Sequence, residues 1–226
     1  MAEPSPWRLR DRLHDHIRLL YPDQDTGALV EACIAAMRLD PETPTPESRR
    51  NLWSEADSVV ITYGDTVTSP DEHPLDSLAA FMRHRLRDTV SSVHILPFYP
   101  WTSDDGFAVS DYGVVHPELG DWDDIRQISQ DFRVMGDCVI NHCSASHQWF
   151  KNYQAGLAPG DGYFVEADPE KDLSAVARPR TSPLLRPVET KNGTRHVWCT
   201  FGHDQIDLDF ANPELMLEII RLFRHY

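Results

Sequence analysis

A short stretch combines an acid, an amide and an imidazole at the end of a strand-like apolar run. Asp137, Asn141 and His142 occur within six residues. Asp137 precedes an apolar run that contains Val139 and Ile140, and Asn141 and His142 follow that run. All three side chains can hydrogen-bond a polar ligand. At the carboxyl end of a parallel strand they would point into, or support, a pocket for such a ligand. A structural acid–histidine pair is the alternative interpretation.

Further polar motifs surround this stretch in a defined order. An Asp-Asp-Gly-Phe motif and a Ser-Asp-Tyr motif precede it, and a Gln-x-Asp-Leu motif follows it, at residues 104–107, 110–112 and 205–208. Together with residues 137–142, these motifs resemble the α-amylase superfamily of glycoside hydrolases. Finer motifs resemble sucrose phosphorylases, and especially their glucosylglycerate phosphorylase branch, at residues 61–65, 94–98 and 178–185. The resemblance covers roughly residues 50–226.

The resemblance implies a site that binds a glucosyl unit. Asp104 resembles the acid that accepts hydrogen bonds from paired sugar hydroxyls, and Phe107 resembles the aromatic residue that faces the glucosyl carbons. His142 resembles the histidine that hydrogen-bonds the same unit, with Asp137 and Asn141 as supporting residues. Loop capping by Asp104 and a core position for Phe107 are the alternatives.

The resemblance also implies an acceptor side. Arg180 resembles the arginine that approaches phosphate, for which a forked guanidinium is suited; Arg178 is the competing candidate. Phe201 and Gln205 correspond to residues that line the leaving-group side, although a buried strand pair would explain them equally well. The natural acceptor stays open between fructose, fructose 6-phosphate, glycerate and other compounds.

The implied reaction is a retaining glucosyl transfer to inorganic phosphate as co-substrate, with no metal and no other cofactor. Such chemistry needs a carboxylate nucleophile and a carboxylic acid. In the superfamily these come from the fourth and fifth strands, so we expect both beyond Tyr226 and name no catalytic residue in this chain. We therefore expect a fragment of a longer enzyme that is inactive by itself.

The order of predicted strands and helices around these residues indicates an α/β fold. Strand and helix patterns alternate, which indicates parallel pairing, and long polar loops after the strands favour the N-terminal portion of a (β/α)8 TIM barrel. We expect about three strand-helix units, an inserted subdomain after strand 3 and a helical N-terminal extension. The expected segments are an extension and linker, the first part of the barrel, the insertion and the resumed, truncated barrel: residues 1–57, 58–143, 144–204 and 205–226.

Individual elements follow from periodicity and turn signals. Strands are predicted over residues 58–63, 92–98 and 132–140. Helices are predicted over residues 7–21, 27–38, 45–53 and 75–90. Asn192-Gly193 predicts a hairpin whose turn has two positive φ angles.

The composition argues against several partners. With 21 Lys and Arg against 36 Asp and Glu, the formal net charge is −15, whereas nucleic acids and anionic membranes attract clustered basic residues. The sequence has no long apolar run and no signal-like N-terminus, so we expect a cytoplasmic protein. The four cysteines lack zinc-site or disulfide-scaffold spacing, and His142, Cys143 and His147 match no common metal-ligand set.

Two other functions remain open. One is an α-glucan hydrolase or transglucosidase, which would share Asp137, Asn141 and His142 but would not need an arginine near phosphate. The other is a truncated, non-catalytic remnant that binds sugar weakly or not at all. An incomplete parallel sheet would expose a strand edge and an apolar face, so we expect the isolated chain to aggregate or to need a partner. The sequence leaves the oligomeric state open.

Overall fold

The structure of the chain is a computed structural model that describes residues 6–39, 53–178 and 180–226. The chain divides into two compact units. One unit combines residues 1–50 with residues 209–226, and the other comprises residues 51–208. All residues that the sequence assigns to substrate binding lie in the second, larger unit.

The smaller unit is helical. Its helices are α1 (Pro6–Leu20), α2 (Thr26–Met37) and the last helix of the chain, α6 (Pro213–His225). Their buried side chains form one apolar cluster, which includes Ile17 of α1, Val30 of α2 and Leu217 of α6. The helices predicted over residues 7–21 and 27–38 are thus present, whereas the helix predicted over residues 45–53 lies almost wholly outside the described residues.

The larger unit begins with a three-stranded parallel sheet. Its strands β1 (Val59–Thr62), β2 (Ser92–Ile95) and β3 (Arg133–Gly136) lie in the order β1-β2-β3. Helices α3 (Pro74–Arg85) and α4 (Trp122–Ser129) connect them. The β-branched run in β1 suits a pleated strand, and the strand-helix alternation predicted from the sequence is observed.

The third strand is shorter than predicted. The sequence predicts a strand over residues 132–140, but β3 ends at Gly136, opposite the end of its partner β2. Pro97 follows β2, and proline has no N–H group with which to continue a ladder. Asp137 therefore comes directly after β3, whereas His142 begins a separate strand.

The two faces of the parallel sheet differ in burial. Val93 and Ile95 of β2 are fully buried, together with apolar side chains of α3 and α4. On the other face, Ile61 and Met135 lie in register with His94 between them, and they are 63% and 49% exposed. The described residues thus leave part of an apolar sheet face open to solvent.

Residues 142–207 add two antiparallel pairs. The short strands β4 (His142–Ser144) and β7 (Gln205–Asp207) pair with each other and form what we call the site ribbon. Helix α5 (Gln148–Ala155) and a hairpin of β5 (Leu185–Thr190) and β6 (Gly193–Trp198) lie between them in sequence.

The hairpin occurs where the sequence predicts it, but its turn is of a different type. Thr190 pairs with Gly193, so the loop residues are Lys191 and Asn192, and of the turn residues Gly193 alone has positive φ, at 92°. A glycine in the left-handed region after the turn is typical of a bulged hairpin. The expected turn with two positive φ angles is therefore wrong.

Candidate functional site

The loop after β2 folds back on itself and carries Asp104 at its end. Trp101 and Val109 form an antiparallel bridge, and Thr102 N donates to Ala108 O at 3.1 Å. At its end, which we call the tip, Asp104, Asp105 and Gly106 have φ angles of 60°, 49° and 104°. A Cβ at Gly106 would lie 2.7 Å from Pro97 O, so this close approach requires glycine.

The site ribbon lies against this loop. His142 is paired with Asp207, and Ser144 with Gln205. Ser144 N donates to Val109 O at 2.8 Å, which joins the loop to the ribbon. Through β4, the loop at residues 101–109 and strand β7, which are about one hundred positions apart in the sequence, are held next to each other.

Three polar side chains meet where the tip and the ribbon touch. Gln205 Nε2 donates to Asp104 Oδ2 at 2.9 Å and lies 3.2 Å from His142 Nε2. His142 Nε2 lies 3.0 Å from the carbonyl oxygen of Phe107. Because a carbonyl can only accept, this contact requires a hydrogen on Nε2, and Nδ1 is then the lone-pair nitrogen of the neutral ring. Nδ1 is buried and has no hydrogen-bond partner among the described residues.

An aromatic ring and an arginine complete the group. The Phe201 ring lies 4.7 Å from the His142 ring, centroid to centroid, and Arg180 Nη2 lies 3.6 Å from Asp104 Oδ2. All six residues that the sequence assigns to substrate binding therefore occur together, and Phe107 joins the group through its backbone carbonyl oxygen. We call them the six-residue cluster: Asp104, Phe107, His142, Arg180, Phe201 and Gln205.

The two arginines of the Arg-x-Arg motif have different surroundings. Arg178 Nη1 donates to the carbonyl oxygens of Cys199 and Thr200, at 3.2 and 3.1 Å. Arg180 is half exposed and pairs with a side-chain carboxylate of the cluster. Arg178 thus fixes the chain against the segment before Phe201, and Arg180 is the arginine that reaches the cluster.

The two residues predicted to support the site act through other groups. Asp137 Oδ2 lies 2.9 Å from His94 Nε2 on the neighbouring strand β2. The side chain of Asn141 is exposed, and its carbonyl oxygen accepts from Leu208 N at 2.9 Å, which extends the site ribbon by one bond. Asp137 thus fastens the chain after β3 to β2, and Asn141 contributes through its backbone.

Asp207 is a further acid near the cluster; it lies in the Gln-x-Asp-Leu motif, from which no role for it was predicted. It accepts from Thr200 Oγ1 at 2.5 Å and from Thr200 N at 3.1 Å. Burial raises the pKa of Asp207 and lowers the pKa of the paired His142, so burial favours the neutral form of each side chain. Its position two residues after Gln205 on a strand places both on one face, a signal that could have identified it.

The three thiol groups of this unit are free, and two of them are buried. Cys143 and Cys199 have no exposed surface. Burial raises the pKa of Cys199 to about 12 and that of Cys138 to about 11, and it also raises the pKa of Cys143. These thiols are therefore protonated at neutral pH, and protonated thiols are poor nucleophiles and metal ligands.

One group of side chains in the described residues is close enough to share a cation. The ligand atoms of His73, Asp76 and Asp124 lie within 4.8 Å of one another. Asp124 Oδ2 also accepts from Asp121 N at 2.8 Å in the capping box of α4. The position of Asp124 is therefore explained by helix capping.

A cavity of about 380 Å³ opens beside the tip, at the carboxyl ends of β1 and β2. Tyr63 and Asp65 follow β1, and Trp101, Asp105 and His116 belong to the segment after β2; all five line the cavity. It borders the cluster through Asp105, the neighbour of Asp104. Polar side chains thus line the carboxyl end of this parallel sheet, where α/β proteins bind ligands.

The profile of the alpha-amylase catalytic domain matches residues 88–226. The chain is 46% identical over 230 residues to glucosylglycerate phosphorylase of Allomeiothermus silvanus, with 100% of this chain and 40% of the relative covered. It is 39% identical to the Escherichia coli K12 glucosylglycerate phosphorylase (96% and 39% covered) and 30% identical to sucrose phosphorylase of Streptococcus mutans (73% and 35% covered). The chain thus spans about 40% of the length of these relatives.

Solved structures of related enzymes are similar in fold to the described chain. Sucrose 6F-phosphate phosphorylase of Thermoanaerobacter thermosaccharolyticum matches with a TM-score of 0.69 at 22% identity, covering 79% of this chain and 39% of that one. A trehalulose synthase matches with a TM-score of 0.65 at 21% identity, covering 75% and 32%. The described α/β unit therefore has the fold of part of these enzymes.

A membrane-spanning helix is absent from the part of the chain that the structure describes, since each helix there is too short or too polar for one.

Proposed function

We propose, because the chain belongs to the alpha-amylase family, that it forms the glucosyl-binding part of a retaining α-glucosyl phosphorylase. The reaction would transfer glucose from a glucosylglycerate-type or sucrose-type glucoside to phosphate and give α-glucose 1-phosphate. The similarity to glucosylglycerate and sucrose phosphorylases supports this proposal. The observation that carries it is the six-residue cluster, in which Gln205 donates to Asp104 and His142 donates to the Phe107 carbonyl oxygen.

Asp104 has the geometry of a receptor for sugar hydroxyls. Gln205 donates to its Oδ2 atom and Arg180 forms an ion pair with the same atom, which leaves Oδ1 to accept a hydrogen bond from a hydroxyl group. The Asp104 side chain is 41% exposed, so a ligand can reach it. A carboxylate oxygen accepts a stronger hydrogen bond than a neutral acceptor, and the amide of Gln205 keeps the carboxylate oriented before the sugar arrives.

His142 and Phe201 would provide the apolar and imidazole side of the same subsite. The His142 ring is fixed by the Phe107 carbonyl and by contact with Phe201. Its lowered pKa, caused by burial, favours the neutral ring, in which Nε2 donates to the Phe107 carbonyl oxygen and Nδ1 is the acceptor. A sugar hydroxyl that donates to Nδ1 would supply the hydrogen bond that this atom lacks among the described residues.

Arg180 would hold the phosphate. Its guanidinium is 46% exposed and lies beside Asp104, so it can neutralise an anion that would otherwise be repelled by this carboxylate. The forked donors of arginine fit two phosphate oxygens. Arg178, bonded to two backbone carbonyls, would keep the segment that carries Arg180 against the site.

The bond-breaking groups belong to the whole protein in this proposal. A carboxylate would attack the anomeric carbon while a carboxylic acid protonates the departing oxygen, and a phosphate oxygen would then displace the carboxylate from the glucosyl group. We assign no nucleophile or acid/base to the present residues and expect no activity from the 226-residue chain alone. A cytoplasmic location stays part of the proposal and is supported by the four free cysteines, since disulfides are rare in the cytosol.

Ligand binding to the 226-residue chain tests the sugar-binding part of the proposal. Methyl α-glucoside, titrated in a nuclear magnetic resonance experiment, should bind with a Kd of about 1 mM or weaker. Asp104→Ala and Gln205→Leu should each weaken binding about 10-fold, as expected for one hydrogen bond to a charged group. Asp172→Ala is the matched control, because its carboxylate accepts from Ser174 N in its own turn. Equal binding by all four proteins would contradict the proposal.

A phosphate titration tests the acceptor side. Arg180→Ala should weaken phosphate binding about 10-fold, whereas Arg195→Ala, which removes an exposed arginine of the hairpin, should not. In the longer protein, phosphate-dependent release of glucose 1-phosphate identifies a phosphorylase. Release of free glucose without phosphate would identify a hydrolase, and neither product would indicate a non-catalytic protein.

A further inference from the structure

The tip is in a conformation that needs outside support. Asp104 and Asp105 have successive left-handed φ angles of 60° and 49°. This region is unfavourable for residues with a Cβ atom and persists where surrounding contacts enforce it. The conformation matters because it presents the Asp104 carboxylate to Gln205 and the Phe107 carbonyl to His142.

Asp204 is placed to provide this support. Its Oδ2 atom accepts from Ser103 Oγ at 2.9 Å and also from Thr102 Oγ1 in a short hydrogen bond. Thr102 Oγ1 in turn lies 2.5 Å from Ser144 Oγ on the site ribbon. The backbone of Asp204 is itself held, since its carbonyl oxygen accepts from Ala145 N at 2.9 Å.

The contact of Asp204 runs beside the contact of the cluster. Ser103 bonds Asp204, and the next residue on each segment forms the Asp104–Gln205 bond. Two adjacent cross-links therefore join the same two segments, one at the ligand-binding carboxylate and one directly behind it. The rear cross-link leaves the Asp104 carboxylate free to bind substrate while its backbone stays fixed.

We propose that Asp204 is a positioning residue for the glucosyl subsite, which holds the tip through Thr102 and Ser103 so that Asp104 and the Phe107 carbonyl face Gln205 and His142. The role in ligand binding rests on the proposed function, but the hold on the tip does not. Both partners of Asp204 are neutral hydroxyl donors, so its task is to accept two hydrogen bonds at one oxygen atom, Oδ2. An asparagine oxygen can do the same.

Hydrogen exchange of the whole 226-residue chain tests the hold on the tip. In Asp204→Ala the amides of residues 102–108 should exchange about 10-fold faster, as expected when a hydrogen-bonded support of about 1.4 kcal/mol is lost. Asp204→Asn should retain slow exchange, because it keeps the acceptor, and Asp172→Ala should match the unmodified chain. Amides of the hairpin at residues 185–198 should be unchanged in every variant, which separates a local effect from general destabilisation.

The double variant Thr102→Val with Ser103→Ala removes the same bonds from the other side. It should reproduce the exchange of Asp204→Ala, and combining the two changes should add little. It also serves as the test if Asp204→Ala does not fold. Unchanged exchange at residues 102–108 in this variant or in Asp204→Ala would overturn the proposal, and so would equal acceleration in Asp204→Asn.

Glucoside binding then separates this inference from the proposed function. If the unmodified chain binds methyl α-glucoside, Asp204→Ala should weaken binding about 5- to 10-fold and Asp204→Asn by less than about 2-fold. Equal affinity of Asp204→Ala and the unmodified chain would overturn the positioning role. If the unmodified chain binds no glucoside, the proposed function fails, and the exchange experiment still decides whether Asp204 holds the tip.

Discussion

The hydroxyl group of Tyr112 lies directly behind His142. It is 3.0 Å from the carbonyl oxygen of His142 and 2.7 Å from that of Val139. Since a phenol has one hydrogen to donate, that hydrogen is shared between the two carbonyls. Tyr112 thus fixes the segment between β3 and the site ribbon, including the backbone that carries the His142 ring.

Tyr112→Phe should destabilise the larger unit and weaken the site. It leaves two buried carbonyl groups without this donor, so the free energy of unfolding should fall by about 1–3 kcal/mol. Glucoside affinity should fall as well, because the backbone of His142 loses its support. Urea denaturation and glucoside titration measure both effects. Tyr63→Phe changes a tyrosine that is 39% exposed and should alter the stability by less than about 0.5 kcal/mol; equal effects of the two changes would contradict the role of Tyr112.

Two glycine substitutions should separate backbone strain from steric conflict. Gly193 has a φ of 92° but open space where a methyl group would lie, whereas Gly106, at 104°, would place its Cβ 2.7 Å from Pro97 O. Gly193→Ala should therefore cost about 1 kcal/mol from the φ angle alone. Gly106→Ala should cost about 2–3 kcal/mol, since the clash adds to it. Thermal unfolding compares the two, and equal losses would show that the tip relaxes around the methyl group.

His147 should make the unit sensitive to acid. Its ring is buried and caps α5 by accepting from Trp149 N at 3.0 Å, and burial lowers the pKa of His147 to about 4. Between about pH 6.5 and pH 4 the unfolded chain binds a proton that the folded chain does not. Stability from this group is therefore complete above about pH 6.5 and is lost as the pH falls, by at most about 3 kcal/mol.

His147→Asn tests this dependence, because asparagine can also cap a helix but does not titrate. The difference in unfolding free energy between the unmodified chain and this variant should shrink or reverse from about pH 7 to about pH 4.5. His203→Asn replaces an exposed histidine and is the matched control for the removal of an imidazole. Parallel pH curves for the unmodified chain and His147→Asn would refute the assignment.

The exposed sheet face should promote self-association of the 226-residue chain. Ile61 and Met135 are 63% and 49% exposed on the two outer strands of one sheet, and exposed apolar strand faces favour association. Ile61→Thr should raise the concentration at which light scattering appears, without loss of stability. Leu19→Thr removes an apolar residue of α1 that is 78% exposed and should have a smaller effect. A monomeric chain at all concentrations would refute this prediction.

Local sequence patterns predict where strands and helices occur better than they predict the residues at which these elements end. The β-branched run of β1 and the apolar spacing of α2 sufficed to locate both. The end of β3, in contrast, depends on its partner β2 and on Pro97, which periodicity along β3 does not contain. The hairpin was located by Asn192 and Gly193, but its turn type depends on which residues pair across it.

The cluster was predicted through motif resemblance, whereas its supports were not. Asp104 and Gln205 belong to recognisable motifs, and they form a direct hydrogen bond. Asp204 and Tyr112 also lie in or next to such motifs, yet their function depends on partners that are distant in sequence. The partners lie 27 and 30 residues away for Tyr112 and 101 and 102 residues away for Asp204. Such contacts follow from tertiary packing, so the residue type alone gives no reason to single these residues out.

The raised pKa of the native thiols makes the chain suitable for selective labelling. Alkylating reagents react with thiolates, and the raised pKa of Cys138, Cys143, Cys199 and Cys33 keeps all four protonated at neutral pH. A single new thiol, introduced by Thr181→Cys at an exposed position next to Arg180, would be the preferred attachment point for a fluorophore. Movement of the arginine segment on addition of phosphate could then be followed by fluorescence with every native cysteine in place.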